Sequence, residues 1–279
     1  RNNRMNTFHR KAVLFLTILF VLFVGVACSN QTNSPKKVSG DSATESEDIP
    51  EKIVIGYQVS PNGELLAKAL GLLEKKYPDT KVEWVKFEAG RDVNNAIASG
   101  SIDFGLVGTP PAAIGVASKL PYKVYYLHDI IGESEALVVK EDAEVESLKD
   151  LSGKTIATTF SSTSHFSLLG ALKADGINPE KEKIKILDMQ PPDIYAAWQR
   201  GDIDGAYIWQ PMQSKLSAEK GKIIINSGEL AEKGVITAEM GIVHNDFAEK
   251  YPEIVEGYVS VLDESVKFYH SNPEASGEL

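Results

Sequence analysis

The feature that most constrains this chain is a repeat. The stretch "AIASGSIDFGLVGTP", residues 96–110, has the same skeleton as "WQRGDIDGAYIWQP", residues 198–211. Gly100, Ile102, Asp103 and Pro110 are matched by Gly201, Ile203, Asp204 and Pro211, each 101 positions later. A chain of 279 residues has room for two ordinary domains, and the spacing assigns one copy of a structural unit to each. Asp103 and Asp204 are therefore read as scaffold at a helix–strand turn. Trp209 is a difference between the copies, and so a candidate for the site.

Around the repeat, short β-rich runs alternate with helical patterns, which specifies a parallel-rich sheet covered on both faces. In the first copy "KIVIGY", "VEWVKF" and "IDFGLVG" are strands, and "GELLAKALGLLEKKY", "RDVNNAIAS" and "TPPAAIGVAS" are helices. In the second copy "GKTIATTF", "KIKILDM" and "DGAYIW" correspond to those strands. A long helix, "DFAEKYPEIVEGYVSVLDESVKFYH", is expected to start from an Asp246 cap. "GESEALVV" and "AEMGIVHN" lie at the seams between copies and are read as extended crossings. The expected fold class is α/β, with two similar lobes joined by two crossover strands. Ligands of open α/β sheets bind at the carboxyl ends of strands, which places the site in the cleft between the lobes.

The N-terminus differs in kind. Arg1, Arg4, Arg10 and Lys11 precede an apolar run over residues 12–27, the pattern of a secretory signal. The run is shorter than the ~20 residues of a spanning helix, with an uncleaved anchor as the alternative. Cys28, the single cysteine, follows "GVA" directly and excludes an internal disulfide. Its position resembles the lipobox of bacterial lipoproteins, where the signal is cut before a cysteine that carries a diacylglycerol; a free thiol is the alternative. The expected organisation is a lipoprotein signal over 1–28, a flexible polar linker over 29–50, a first lobe from 51–134 and 242–279, and a second lobe from 135–241. Met5 is the expected start, and the first lobe is expected to be truncated at its C-terminus.

Composition and motifs exclude several classes of function. A formal charge of −10 opposes nucleic-acid binding, which depends on neutralising phosphates. The five histidines have no metal-ligand spacing, and no phosphate loop, G-x-S-x-G or nucleophilic cysteine in the lobes suggests catalysis. Neither metal nor cofactor is expected, and the chain is not read as an enzyme. What remains is polar groups at strand ends. They are Gln58 and Ser60, then Gly108 and Thr109, in the first copy, and Ser162, Thr163 and Ser164 in the second. The second and third sets open helices, whose free N–H groups suit an anion; N-capping by the hydroxyls is the plain alternative. Glu135 and Glu239 sit at the seams, where a carboxylate could meet an ammonium. Tyr207 and Trp209 could stack on a cation or an alkyl spacer.

The runs "GESEALVVK", "GKTIATTFSSTSHFSLLGALKADGI", "MQPPDIYAAWQRGDIDGAYIWQP" and "DFAEKYPE" resemble the taurine, aliphatic sulfonate and nitrate substrate-binding family of ABC importers. The resemblance runs from about Ile53 to the end. It implies the two-lobed type II periplasmic-binding-protein fold, closing over its ligand as a monomer. It implies a sulfonate among Gly108, Thr109, Ser162, Thr163 and Ser164, and an ammonium facing Glu135 and Glu239. The implied function is capture of taurine or a similar small sulfonate outside the cytoplasm and delivery to an ABC permease, with a lipid anchor holding the protein at the membrane. An amine-free alkanesulfonate or nitrate binder is one alternative; an enzyme or a sensor on the same fold is another.

Overall fold

The computed structural model describes residues 49–277. The apolar run, Cys28 and most of the linker therefore lie outside the described residues. None of the described helices is long and apolar enough to cross a membrane.

The described chain forms two five-stranded sheets. The first has the order β2-β1-β3-β10-β4, built from β1 (Lys52–Gln58), β2 (Lys81–Phe87), β3 (Phe104–Gly108), β4 (Tyr122–Ile130) and β10 (Ala238–His244). The second has the order β7-β6-β8-β5-β9, built from β5 (Glu135–Lys140), β6 (Thr155–Thr158), β7 (Lys185–Asp188), β8 (Gly205–Trp209) and β9 (Gly221–Asn226). The two orders are equivalent. In each, three strands run parallel, and a strand entering from the other lobe lies antiparallel beside the third, β10 against β3 and β5 against β8.

Alternation along β1 splits the first core between the two faces of its sheet. Ile53 and Ile55 pack with Phe104, Tyr258 and Leu262 on one face, while Val54 packs with Val93, Ile97 and Ile242 on the other. The first face is covered by α1 (Gly63–Leu70), α2 (Leu72–Lys76) and α10 (Pro252–Ser271), and the second by α3 (Gly90–Ala98) and α4 (Thr109–Ala117). In the second lobe, Leu137 and Val139 face α5 (Thr163–Ala174) and α8 (Ser227–Glu232). Val138 and Ala157 face α6 (Pro191–Arg200) and α7 (Met212–Ala218).

The repeated aspartates do the same work in both copies. Asp103 Oδ2 accepts the Val54 N–H at 2.7 Å, and Asp204 Oδ2 accepts the Thr155 N–H at 2.7 Å. The return bonds match too: Asp103 N–H to Val54 O and Asp204 N–H to Thr155 O, both 2.8 Å. Each aspartate thereby ties the turn before the third strand to the first strand of its sheet. The scaffold reading of this pair holds.

Four expectations are corrected. The helix over residues 63–77 is broken at Gly71, whose φ of 61° only glycine adopts without strain. The long C-terminal helix is broken too. A short α9 (Asn245–Lys250) ends at Tyr251, which lies outside helical geometry because the ring of Pro252 crowds the residue before it. The Asp246 cap is replaced by His244, whose Nδ1 accepts the Asp246 N–H at 3.2 Å. The boundary between residues 241 and 242 falls inside β10, all of which belongs to the first sheet. The chain crosses earlier, and the two crossings lie side by side: the Ile131 N–H donates to Thr237 O at 2.9 Å.

Removing either aspartate carboxylate leaves a strand amide without its charged acceptor. Asp103→Ala and Asp204→Ala are each expected to lower unfolding stability by about 1–3 kcal/mol in urea titrations.

Candidate ligand site

Strand ends and helix starts of both lobes converge on one recess. It is lined by Gln58, Ser60, Gly90, Gly108, Pro111, Ile131, Ser134, Glu135, Ser162, Thr163, Trp209 and Glu239. Its non-atom space, counting the open solvent at its mouth, is about 470 Å³. Two of the lining residues are carboxylates, and none is Lys, Arg or His.

Three helix N-termini open here. α3 begins at Gly90 and α4 at Thr109, and neither has a side-chain cap. Pro110 and Pro111 carry no N–H, so Thr109 supplies the one amide of the first three positions of α4. α5 begins at Thr163, and Ser162 is its N-cap. Gly108 has a steric reason to be glycine. A Cβ there would lie 2.4 Å from Thr163 Cγ2, so the lobes meet backbone against side chain at this point.

The two carboxylates differ in how fully they are satisfied. Glu135 is wholly buried, and four hydroxyls donate to it. Thr163 (2.5 Å) and Ser164 (2.8 Å) bind Oε2, while Ser227 (2.8 Å) and Ser167 (3.2 Å) bind Oε1. A carboxylate offers about four acceptor positions, and here all are taken. Burial pushes the Glu135 carboxyl up, and the hydroxyls oppose that shift. Glu239 is more open. Ser60 Oγ donates to its Oε1 at 2.6 Å and Asn62 Nδ2 to its Oε2 at 2.8 Å, leaving one acceptor position on each oxygen. Burial, then the charge of Asp129, push Glu239 up to about 7, against the pull of Asn62 and Ser60. Behind it lies Glu64, fully buried, accepting the Tyr258 hydroxyl at 3.0 Å and raised to about 8 chiefly by burial.

Of the residues expected in the site, Gln58, Gly108, Glu135, Ser162, Thr163, Trp209 and Glu239 line the recess together. Three do not. Tyr207 is fully buried, with its hydroxyl 3.1 Å from Ser227 Oγ. It lies two residues deeper along β8 than Trp209, so its ring joins the core while Trp209 reaches the cleft. Ser164 lies beneath the recess on Glu135. The Thr109 hydroxyl accepts the Ala238 N–H at 3.4 Å, at the crossing. The expected hydroxyl donors are also committed, since Ser162 Oγ donates to Thr159 O at 2.6 Å and Thr163 Oγ1 to Glu135. Gly90, Pro111, Ile131 and Ser134 line the recess without having been expected there. Gly90, opening the helix "GRDVNNAIA", carries the same strand-end signal as Gly108. Ile131 and Ser134 offered none, being ordinary residues of a crossing.

A family model described as the substrate-binding domain of an ABC-type glycine betaine transport system matches residues 51–266. The taurine-binding periplasmic protein of Escherichia coli (strain K12) is 39% identical over 222 residues, covering 80% of this chain and 68% of that protein. The chain belongs to this family of ABC-importer substrate-binding proteins. Solved structures agree. The periplasmic aliphatic sulphonate binding protein SsuA of Escherichia coli has a TM-score of 0.69 at 29% identity, covering 82% of this chain and 77% of that one. The alkanesulfonate-binding protein SsuA of Xanthomonas axonopodis pv. citri, bound to MOPS, has a TM-score of 0.70 at 27% identity, covering 81% and 77%. The two-lobed α/β architecture is thus that of the ABC-importer binding proteins, and the matched family is one of transport proteins rather than enzymes.

The lobes approach closely enough at Gly108 that a side chain there would have to displace Thr163. Gly108→Val is expected to wedge the lobes apart, raising the radius of gyration in small-angle scattering while leaving the far-UV spectrum unchanged.

Proposed function

We propose that this protein captures taurine, or a similarly short aminosulfonate, outside the cytoplasm and delivers it to an ABC permease without altering it. The observation that carries this reading is the charge of the recess: two lining carboxylates, no lining cation, and acceptor positions open on Glu239 alone of the two. Such a site repels a simple anion and favours a ligand that brings its own cation. The ammonium bonds directly to Glu239. Glu135 contributes through its field and by holding the start of α5, which modifies the expectation that both glutamates touch the amine. Trp209 packs on the two-carbon spacer. The sulfonate faces the backbone amides that open α3, α4 and α5, because the Ser162 and Thr163 hydroxyls are already engaged. The taurine-binding relative supports the choice of ligand. Transfer to the permease follows from the family. The basic and apolar segment ending at Cys28 supports export and a lipid anchor.

One observation favours an amine-free alkanesulfonate as a second reading. With its carboxyl raised to about 7, Glu239 can be neutral near physiological pH and donate to a sulfonate oxygen. Calorimetry separates the two. For taurine capture, Glu239→Gln weakens taurine binding roughly 10- to 100-fold, the worth of a charged hydrogen bond, and leaves ethanesulfonate unchanged or tighter. Glu135→Gln lowers the melting temperature, because an amide cannot accept all four hydroxyls, but keeps the preference for taurine. Equal loss of both ligands in Glu239→Gln would refute the amine contact. The pH profile adds a sign. An aliphatic ammonium stays charged well above neutrality, so taurine affinity rises from about pH 6 to about pH 8 as Glu239 ionises. Ethanesulfonate affinity falls over the same interval.

A further inference from the structure

The lobes also touch beside the recess, through side chains that do not line it. Arg91, next to Gly90 in the first turn of α3, reaches into the second lobe, where its Nη1 donates to Asp188 Oδ2 at 2.7 Å. A neighbouring tie runs the other way: Gln190 Nε2 of the second lobe donates to Asp92 Oδ2 of the first at 3.1 Å. The second oxygen of Asp188 has a different task. Oδ1 accepts the Phe160 N–H at 2.9 Å, and Phe160 begins the turn that presents Ser162 and Thr163 to the recess.

That turn is held in a conformation it would not adopt alone. Ser161 has a φ of 63°, left-handed and disfavoured for a residue with a side chain. Its N–H donates to His165 Nδ1 at 3.3 Å. The Phe160 ring stacks on the His165 imidazole, with centroids 4.3 Å and planes 2° apart. Thr159 Oγ1 donates to Met189 O at 2.8 Å, one residue beyond Asp188. Strained turns persist where their surroundings over-determine them, and here part of the surroundings belongs to the opposite lobe. Asp188 is well suited to remain ionised. Partial desolvation raises its carboxyl, but the Arg91 and Phe160 hydrogen bonds outweigh that and hold it below the ordinary value.

We propose that Arg91 and Asp188 form a clasp between the lobes, and that Asp188 is a positioning residue through which closure sets the shape of the 160–163 turn. With the lobes apart, Arg91 withdraws, Asp188 is hydrated, and the turn relaxes. With the lobes together, the clasp fixes both carboxylate oxygens, and the start of α5 is aligned for the ligand. The side chains of the pair are 35% and 38% exposed, so its worth is that of a partly solvated ion pair. All of that worth falls on the closed form, and so it enters the closing equilibrium directly. The clasp is independent of which ligand the recess takes.

Arg91→Met, Asp188→Asn and the double variant test it, with Arg91→Lys as the conservative control. The first readout is taken on protein saturated with taurine, because the clasp exists only with the lobes together. Hydrogen exchange at the Phe160 amide is expected to quicken in Arg91→Met, roughly three- to sixfold, while exchange at Ile156 in the sheet core stays unchanged. The second is taurine dissociation, expected to quicken by the same factor with association unaltered. The double variant should be no worse than the weaker single one, and Arg91→Lys should recover most of the loss. Unchanged Phe160 exchange in Arg91→Met, or losses that add in the double variant, would overturn the clasp. If taurine fails to bind the wild type, the ligand assignment fails, and the exchange comparison made with saturating ethanesulfonate still decides the clasp. If Arg91→Met does not fold, Asp188→Asn, close in shape to the native residue, carries the same comparison.

Discussion

A carboxylate withdrawn from water must find compensation, and the site is organised around two that find it differently. Glu135 is compensated from within the protein, by four hydroxyls on α5 and at the start of α8. Glu239 has two donors and a like-charged neighbour in Asp129, and its carboxyl is raised to about 7. The first is complete without a ligand. The second is left with acceptor capacity facing the recess, and a bound cation is the natural way to fill it. On the proposed reading, selectivity for a zwitterion would come from what the protein leaves unpaired, combined with three helix N-termini at the same recess for the anionic group.

The duplicated scaffold explains how both lobes reach that recess. Each sheet presents the carboxyl ends of its parallel strands to the cleft. Each also receives one antiparallel strand from the other lobe, β5 in one direction and β10 in the other. Glu135 opens β5 and pairs across to Trp209, while Glu239 near the start of β10 pairs across to Gly108. Equivalent positions of the two exchanged strands thus carry the two carboxylates. The bond from Ile131 to Thr237 joins the two crossings, so a hinge at this place would move both glutamates with their lobes.

Much of this was legible in the sequence, for reasons that differ by residue. The match of Asp103 with Asp204 was readable because both perform one backbone task, and that task constrains residue type in the same way twice. Strand ends were readable from alternation, and Gln58, Gly108 and Trp209, expected from it, line the recess. Depth along a strand was not, and Tyr207 was placed two residues too near the cleft. Hydroxyls at a helix start were visible, but their partners were not. Ser162 caps its helix, and Thr163 and Ser164 serve Glu135, choices that depend on a carboxylate brought in from β5. The breaks at Gly71 and Tyr251 were signalled locally, by a glycine and by a following proline, inside otherwise periodic helical runs.

The most direct test of the central claim is a crystal structure of the protein grown with taurine. The account places the ligand nitrogen about 3 Å from a Glu239 carboxylate oxygen, its sulfonate at the amides opening α3, α4 and α5, and the Glu135 hydroxyl bonds undisturbed. A ligand bound in the reverse sense, or an ammonium that displaces the hydroxyls from Glu135 while Glu239 keeps only Ser60 and Asn62, would contradict it.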